Sequence, residues 1–153
     1  MADEQKQFSI QRIFVKDISL ETPNSPMIFT EKWEPNVEFN LSSNATSVQE
    51  NLFEVILNIT VTVKVGEKTA YLVEISQAGL FGLNGFAEEE MGPMLGSFCP
   101  NTLFPYAREV VSDLVIKAGF PPMLLAPVNF DALYAQHMQQ MQEQDDDTPK
   151  TVN

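Results

Sequence analysis

The clearest pattern in the chain is an alternation of apolar and polar residues between Asn51 and Val65. Every second residue from Phe53 onward is apolar, and most residues between them are polar. Because successive side chains of a strand point to opposite faces, this segment is predicted to be a strand with one face in the core. Residues 66–68 then supply a short turn and residues 69–77 alternate again, so an antiparallel hairpin is expected.

Two further strands are expected nearer the N-terminus. Residues 37–42 alternate apolar and polar side chains, and residues 8–21 form a longer strand. The second face of that longer strand is mixed, because it carries Ile13 and Val15 beside polar residues and ends acidic. Its more apolar face is predicted to consist of Phe8, Ile10, Phe14, Ile18 and Leu20.

The period of the pattern changes after the fourth strand. Residues 79–85 are expected to be turn-like, and residues 88–117 are expected to be helical. Two glycines and two prolines predict that the first half of this helical region is irregular or broken. After a Pro-rich segment, Asn129 stands where an N-cap would precede a final helix.

Strands followed by helices indicate an α+β fold. We expect a four-stranded antiparallel sheet with two main helices packed on one face. Residues 1–144 are expected to form a single domain. Residues 145–153 are expected to be a disordered acidic tail, since they are rich in aspartate and other polar residues.

The net charge of the chain limits the kinds of molecule that it is expected to bind. The chain has 21 acidic and 9 basic residues and a formal charge of −12, which disfavours nucleic acid and anionic membrane surfaces. Basic or mixed basic and apolar segments suit this surface better. A single cysteine, an N-terminus without an apolar signal core and the absence of a run of ~20 apolar residues predict a cytoplasmic protein that does not insert into membranes.

Candidate chemistry is sparse. Cys99 and His137 are the only cysteine and histidine, and both occur among apolar residues, which favours packing roles for them. The acidic run 145–147 lacks the spaced ligands of a calcium loop, and no phosphate-binding glycine motif is present. We therefore expect neither an enzyme nor a bound metal or cofactor, so that any activity comes from binding.

Two proline-stiffened loops stand out as candidate binding segments. Residues 22–36 are long for a link between strands and carry Phe29 and Trp33, while residues 120–127 carry Leu124 among prolines. Proline holds such loops extended at low entropic cost, so they could line an apolar trough. An equally weighted alternative is that these side chains simply close the edges of the core.

Three separated motifs resemble one known family. These are IQRI at 10–13, SFCPNTLFPYAREV at 97–110 and APVNFDAL at 126–133. In order and spacing they resemble the SecB family of export chaperones, over about residues 8–136. The resemblance implies an ATP-independent holdase that keeps unfolded preproteins soluble, assembled as a tetramer from two dimers. The first strand and the long helix would contribute to that assembly.

The resemblance also implies roles for particular residues. The client groove of the family would correspond to Phe29, Trp33, Leu124, Phe130, Leu133 and Tyr134. The surface that docks on the zinc-bearing C-terminal tail of the export ATPase SecA would correspond to Asp17, Glu21, Leu72 and Glu74. The segment that affects tetramer formation would correspond to Val73, Ile75 and Gln77, although core packing explains the first two equally well. A small-ligand-binding domain and a structural oligomer subunit are the alternative functions.

Overall fold

The fold is one antiparallel sheet with helices on a single face. The structure, a computed structural model, describes residues 5–147. Its sheet has the order β1-β4-β3-β2, which places β1 and β2 at the edges. The expected four-stranded antiparallel sheet and α+β class are confirmed. The strands are β1 (Gln7–Glu21), β2 (Pro35–Gln49), β3 (Leu52–Val65) and β4 (Lys68–Asn84).

Two strands are longer than the sequence pattern predicts. The expected turn at residues 79–85 is wrong, because β4 continues to Asn84 and pairs Gly79 with Val55 and Gly82 with Leu52. Main-chain pairing on both sides overrides the low strand propensity of glycine there. β2 also continues to Gln49, where side chains on an exposed edge strand need no apolar alternation.

The helical layer is continuous. It consists of α1 (Glu88–Pro93), a π-helical segment (Met94–Phe98) and α2 (Cys99–Lys117). The glycines and prolines do not break this region but coincide with the changes from α to π geometry and back. Pro93 ends α1, Gly96 lies in the π segment, and Pro100 lies at the first turn of α2, where a missing N–H is tolerated.

The final helix, α3 (Phe130–Asp147), begins as predicted. The Asn129 side chain caps it, because its Oδ1 accepts a hydrogen bond from the backbone N–H of Ala132 at 3.0 Å. α3 runs to Asp147, past the residue where the acidic tail was expected to start, since residues 130–147 contain no glycine or proline. Residues 148–153 of that expected tail lie outside the described residues.

The core lies between the sheet and α2. Alternate side chains of β3 and β4, from Val55 to Val63 and from Tyr71 to Ile75, are almost completely buried on the face that α2 covers. Leu103, Ala107, Val111 and Val115 of α2 recur at helical spacing and fill the other side of this core. The opposite face of the sheet has no helix on it among residues 5–147, and we call it the outer face.

The faces of β1 differ from the prediction. Register shifts mark bulges near Gln11 and Lys16, and each extra residue inverts the alternation that follows. Ile13 and Val15 therefore pair with inward-facing residues of β4, while Phe14 lies on the outer face. The expected face assignment of these three residues is wrong, because a bulge is invisible to a period-two pattern.

We predict that Gly79→Ala destabilises the protein while Gly82→Ala on the same strand does not. A Cβ at Gly79 would lie 2.6 Å from the Phe81 ring and 2.9 Å from Leu103, both packed in the core. A Cβ at Gly82 would lie 2.5 Å from the movable Ser9 hydroxyl and 3.4 Å from the flexible Gln11 side chain, and it would meet no core side chain within 3.4 Å. Overpacking of this kind lowers the free energy of unfolding by roughly 1–3 kcal/mol.

Urea unfolding of both variants at one protein concentration measures the difference. Equal unfolding free energies for Gly79→Ala and the parent would contradict the described packing of this core.

Candidate functional site

Phe120 is the centre of a group of aromatic rings at one end of the helical layer. Its ring centroid lies 5.0 Å from Phe29, 5.6 Å from Trp33 and 5.0 Å from Tyr71. We call these four residues the aromatic cluster. Phe120 and Tyr71 are buried, Trp33 is half-buried and Phe29 is exposed. The cluster therefore has a rigid interior and an accessible outer wall.

The second loop, residues 120–127, is held in place at Met123, just before the exposed Leu124. Ser112 Oγ donates a hydrogen bond to the Met123 carbonyl at 2.8 Å, and Tyr71 OH donates to the Met123 sulfur at 3.7 Å. Burial raises the pKa of Tyr71 to about 12, so its hydroxyl keeps the proton that it donates. Leu125 is buried, whereas Leu124 is 80% exposed. Leu124 is thus held out on the surface by its two anchored neighbours.

A groove of about 600 Å³ separates α3 from β2. Phe130, Leu133 and Tyr134 line it, which places three of the sequence-predicted residues together. Phe130 is only 5% exposed, and its ring centroid lies 5.8 Å from that of Phe104. Phe130 therefore forms the buried floor of the groove. Other lining residues include Leu41, Ala45, Leu95, His137, Met138 and Met141.

An apolar row along β2 connects the two regions. Val37, Phe39 and Leu41 lie opposite Val63, Val61 and Ile59 of β3, so they face the helix side of the sheet. Leu41 lines the groove, and Trp33 precedes the start of the strand by two residues.

Val37 and Phe39 are exposed, because α2 covers the central strands and does not reach the edge. We call Trp33, Val37, Phe39, Leu41 and Leu133 the apolar track. The sequence indicated Val37, Phe39 and Leu41 only as strand residues. Their strand was predicted, but its edge position was not.

The outer face carries the acidic residues that the sequence singled out. Glu21 lies opposite Leu72, and Ser19 lies opposite Glu74, so all four residues expected there share one face of adjacent strands. Asp17, Glu21 and Glu74 are exposed, and none of the ion pairs found within residues 5–147 involves them. Their charges are therefore available to a basic partner.

Val73, Ile75 and Gln77 lie inside the core of the single chain, where they are 0%, 3% and 2% exposed. They do not form an accessible interface themselves, because α2 covers the face on which they lie. Gln77 nevertheless contacts the edge strand β1 through its side-chain amide. Its Nε2 donates a hydrogen bond to the Phe14 carbonyl at 3.1 Å, beside the second bulge of β1.

The two residues with nucleophilic or basic potential lie in separate environments. Cys99 is completely buried at the start of α2, and burial raises the pKa of its thiol to about 12. His137 lines the groove from α3. Among residues 5–147, no three acidic, cysteine or histidine side chains gather closely enough to hold a metal ion. Nor does any helix in that range have the length and apolarity needed to cross a membrane.

Comparisons with known proteins identify related chains. The family model described as preprotein translocase subunit SecB matches residues 1–141. A protein-export protein SecB from Methylococcus capsulatus is 68% identical over 140 residues, covering 92% of this chain and 90% of the relative. A protein of the same name from Nitrosococcus oceani is 60% identical over 141 residues, covering 91% of this chain and 86% of the relative.

A solved structure supports the fold. A SecB-like chaperone from Mycobacterium tuberculosis, in complex with a peptide from an antitoxin, superposes with a TM-score of 0.62. It is 20% identical in sequence, and the match covers 79% of this chain and 90% of that one. At this identity the likeness extends to the architecture of sheet and helices.

We predict that Cys99 resists alkylation in the folded protein. At pH 8 a thiol with a pKa of about 12 is ionised in only about one molecule in ten thousand, and the thiolate is the reactive form. Iodoacetamide labelling, followed by mass spectrometry, should be slower than in the urea-unfolded chain by on the order of a hundredfold or more. Labelling at equal rates in both states would contradict the burial of this thiol.

Proposed function

Since the chain belongs to the SecB family of protein-export proteins, we propose that its apolar track holds unfolded preproteins on their way to the export motor. The protein is a holdase chaperone of protein export. The observation that carries the proposal for the track is the row of exposed and half-buried apolar side chains from Trp33 along β2 to the groove under α3. Folded clients present few apolar segments to such a row, so it selects unfolded ones.

Burial of client side chains supplies the binding energy. Each Å² of apolar surface removed from water contributes about 25 cal/mol. Several weak contacts along one client chain then combine through effective concentration, so that retention is strong although each site is weak. No step in this mechanism needs a nucleotide. A small-ligand site, the alternative, would need an enclosed cavity, whereas Phe39, Phe29 and Leu124 are open to solvent.

The outer face supplies a separate docking surface. We assign Asp17, Glu21, Leu72 and Glu74 to the interaction with the zinc-bearing C-terminal tail of SecA. Exposed carboxylates around an apolar side chain complement a basic, partly apolar module. Because these residues lie on the face opposite the apolar track, a client and SecA can be bound together. With SecA as its partner, we propose that the protein acts in the cytoplasm, on the same side of the membrane as the motor.

Assembly into a tetramer, as a dimer of dimers, is the third part of the proposal. β1 is an edge strand with Ile10, Val15 and Ile18 exposed, and edge strands offer unpaired backbone groups to a second copy. α2 exposes Tyr106 and Ile116 on the side away from its own sheet. Gln77, which bonds to the β1 backbone, would influence such pairing from inside the core.

We predict that the double variant Phe29→Ala, Leu124→Ala weakens binding of an unfolded preprotein. Both side chains are exposed, so their removal takes away client contacts. We expect an affinity loss of roughly tenfold, measured by titration of a fluorescent, slowly folding preprotein without nucleotide.

The control is Val48→Ala, which removes an exposed apolar side chain from β2 away from the groove and should bind like the parent. Equal client affinity of the double variant and the parent would exclude Phe29 and Leu124 from client binding. Unchanged aggregation of the preprotein in the presence of the parent protein would overturn the holding role itself.

We predict that Glu74→Lys weakens SecA binding and leaves client binding intact. The substitution reverses one charge in the centre of the docking surface, where Glu74 is exposed. Glu38→Lys is the matched control, because Glu38 is exposed on the same outer face but on the opposite edge strand.

Calorimetric titration with the isolated SecA tail should give about tenfold weaker binding for Glu74→Lys than for Glu38→Lys. Identical affinities for the two variants would exclude the acidic residues from the docking surface.

A further inference from the structure

We propose that Tyr134, seated on Gly92 and Gly96, is a positioning residue that sets the distance of α3 from β2 and thereby the width of the groove. This inference rests on the proposed client-holding function of the groove. It assigns to Tyr134 a role different from client contact. The residues involved, Gly92, Gly96, Ser97, Asp131 and Tyr134, are called the α3 clasp.

Gly92 and Gly96 leave the space that the Tyr134 ring occupies. A Cβ at Gly96 would lie 2.5 Å from the ring carbons, and a Cβ at Gly92 would collide with the hydroxyl oxygen. Glycine inside a helix costs about 1 kcal/mol relative to alanine, so neither residue is there for helix propensity. Their missing side chains allow the aromatic ring to lie directly against the backbone of α1 and the π segment.

A part-buried hydrogen bond holds the same end of α3. Ser97, which follows Gly96, is 4% exposed, and its hydroxyl donates to Asp131 Oδ1 at 2.5 Å. Asp131 lies in the first turn of α3, one turn before Tyr134. A hydrogen bond to a charged acceptor in a part-buried position is short and strong. The bond and the ring seat therefore act on adjacent turns of one helix.

The rest of α3 lies mostly on the surface. Beyond Tyr134, the described side chains of α3 are exposed up to Asp146, including Met138 and Met141, which line the groove. α3 is one continuous helix, so a displacement at the clasp also moves its groove-lining residues relative to β2. The clasp thus determines how closely α3 covers a client that lies on Leu41.

The test is a double-mutant cycle of Gly96→Ala and Tyr134→Ala in the full chain. Spin labels at Asn40→Cys, on the outer face of β2, and Gln139→Cys, on α3 outside the groove lining, report the separation of the two elements. Labelled chains are diluted with unlabelled ones, and buried Cys99 stays unlabelled. We expect Gly96→Ala to lengthen this distance and to speed dissociation of an unfolded preprotein about fivefold.

In the Tyr134→Ala background, Gly96→Ala should change neither quantity further, because the ring that it displaces is gone. Gln142→Ala, an exposed position of α3 outside the groove lining, should match the parent. An unchanged label separation in Gly96→Ala would overturn the inference. So would an equal change in label separation on adding Gly96→Ala to the parent and to Tyr134→Ala. So would a longer distance with an unchanged dissociation rate.

Ser97→Ala provides a second route if Gly96→Ala fails to fold. It removes the hydrogen bond to Asp131 and adds no atoms, so a smaller shift in the same direction is expected, and no shift would overturn the inference. The distance measurement needs no client. Failure of the parent protein to bind an unfolded preprotein would therefore reject the proposed function while the clasp is still tested by the label separation.

Discussion

The structure depends on one constraint, which is that a single long helix covers a four-stranded sheet. α2 is wide enough to bury the helix-side faces of β3 and β4, whose alternate side chains are almost inaccessible to water. The edge strands present apolar residues on the same side, such as Ile18 and Phe39, but lie beyond the reach of the helix. Hydrophobic surface is therefore left accessible at both edges, where it serves assembly on β1 and client holding on β2 in the proposed function.

The pleat of the sheet separates two kinds of surface. Residues on one face are mostly apolar and meet α2 or the proposed client, whereas residues on the other face carry the exposed carboxylates of Asp17, Glu21 and Glu74. A shift of one residue in β1 would exchange these faces. The bulge near Lys16 thus matters to the proposed function, because it turns Val15 toward the helices and leaves Asp17 on the outer face. The hydrogen bond from Gln77 to the Phe14 carbonyl joins that bulge to the core.

Agreement between pattern and structure depended on how strongly each segment was buried. β3 was predicted to within one residue, because burial of one whole face forces an alternation that little else produces. Asn129 was recognised because capping requires a specific side chain next to a specific turn. The extension of β4 through two glycines was missed, since its stability comes from strand pairing on both sides. Phe120 was seen as a loop residue, and only the fold makes it the centre of the aromatic cluster.

The amino-acid sequence by itself determined the order of strands and helices, the apolar face of β3, the charge of −12 and the family to which the chain belongs. These are properties of local pattern and composition. Only the tertiary structure decided that Trp33, Val37 and Phe39 stay partly or largely accessible while Val73 and Ile75 are buried. The five have similar apolar character, and the difference arises from distance to α2. Burial is set by neighbours far apart in the chain, which an alternating pattern cannot specify.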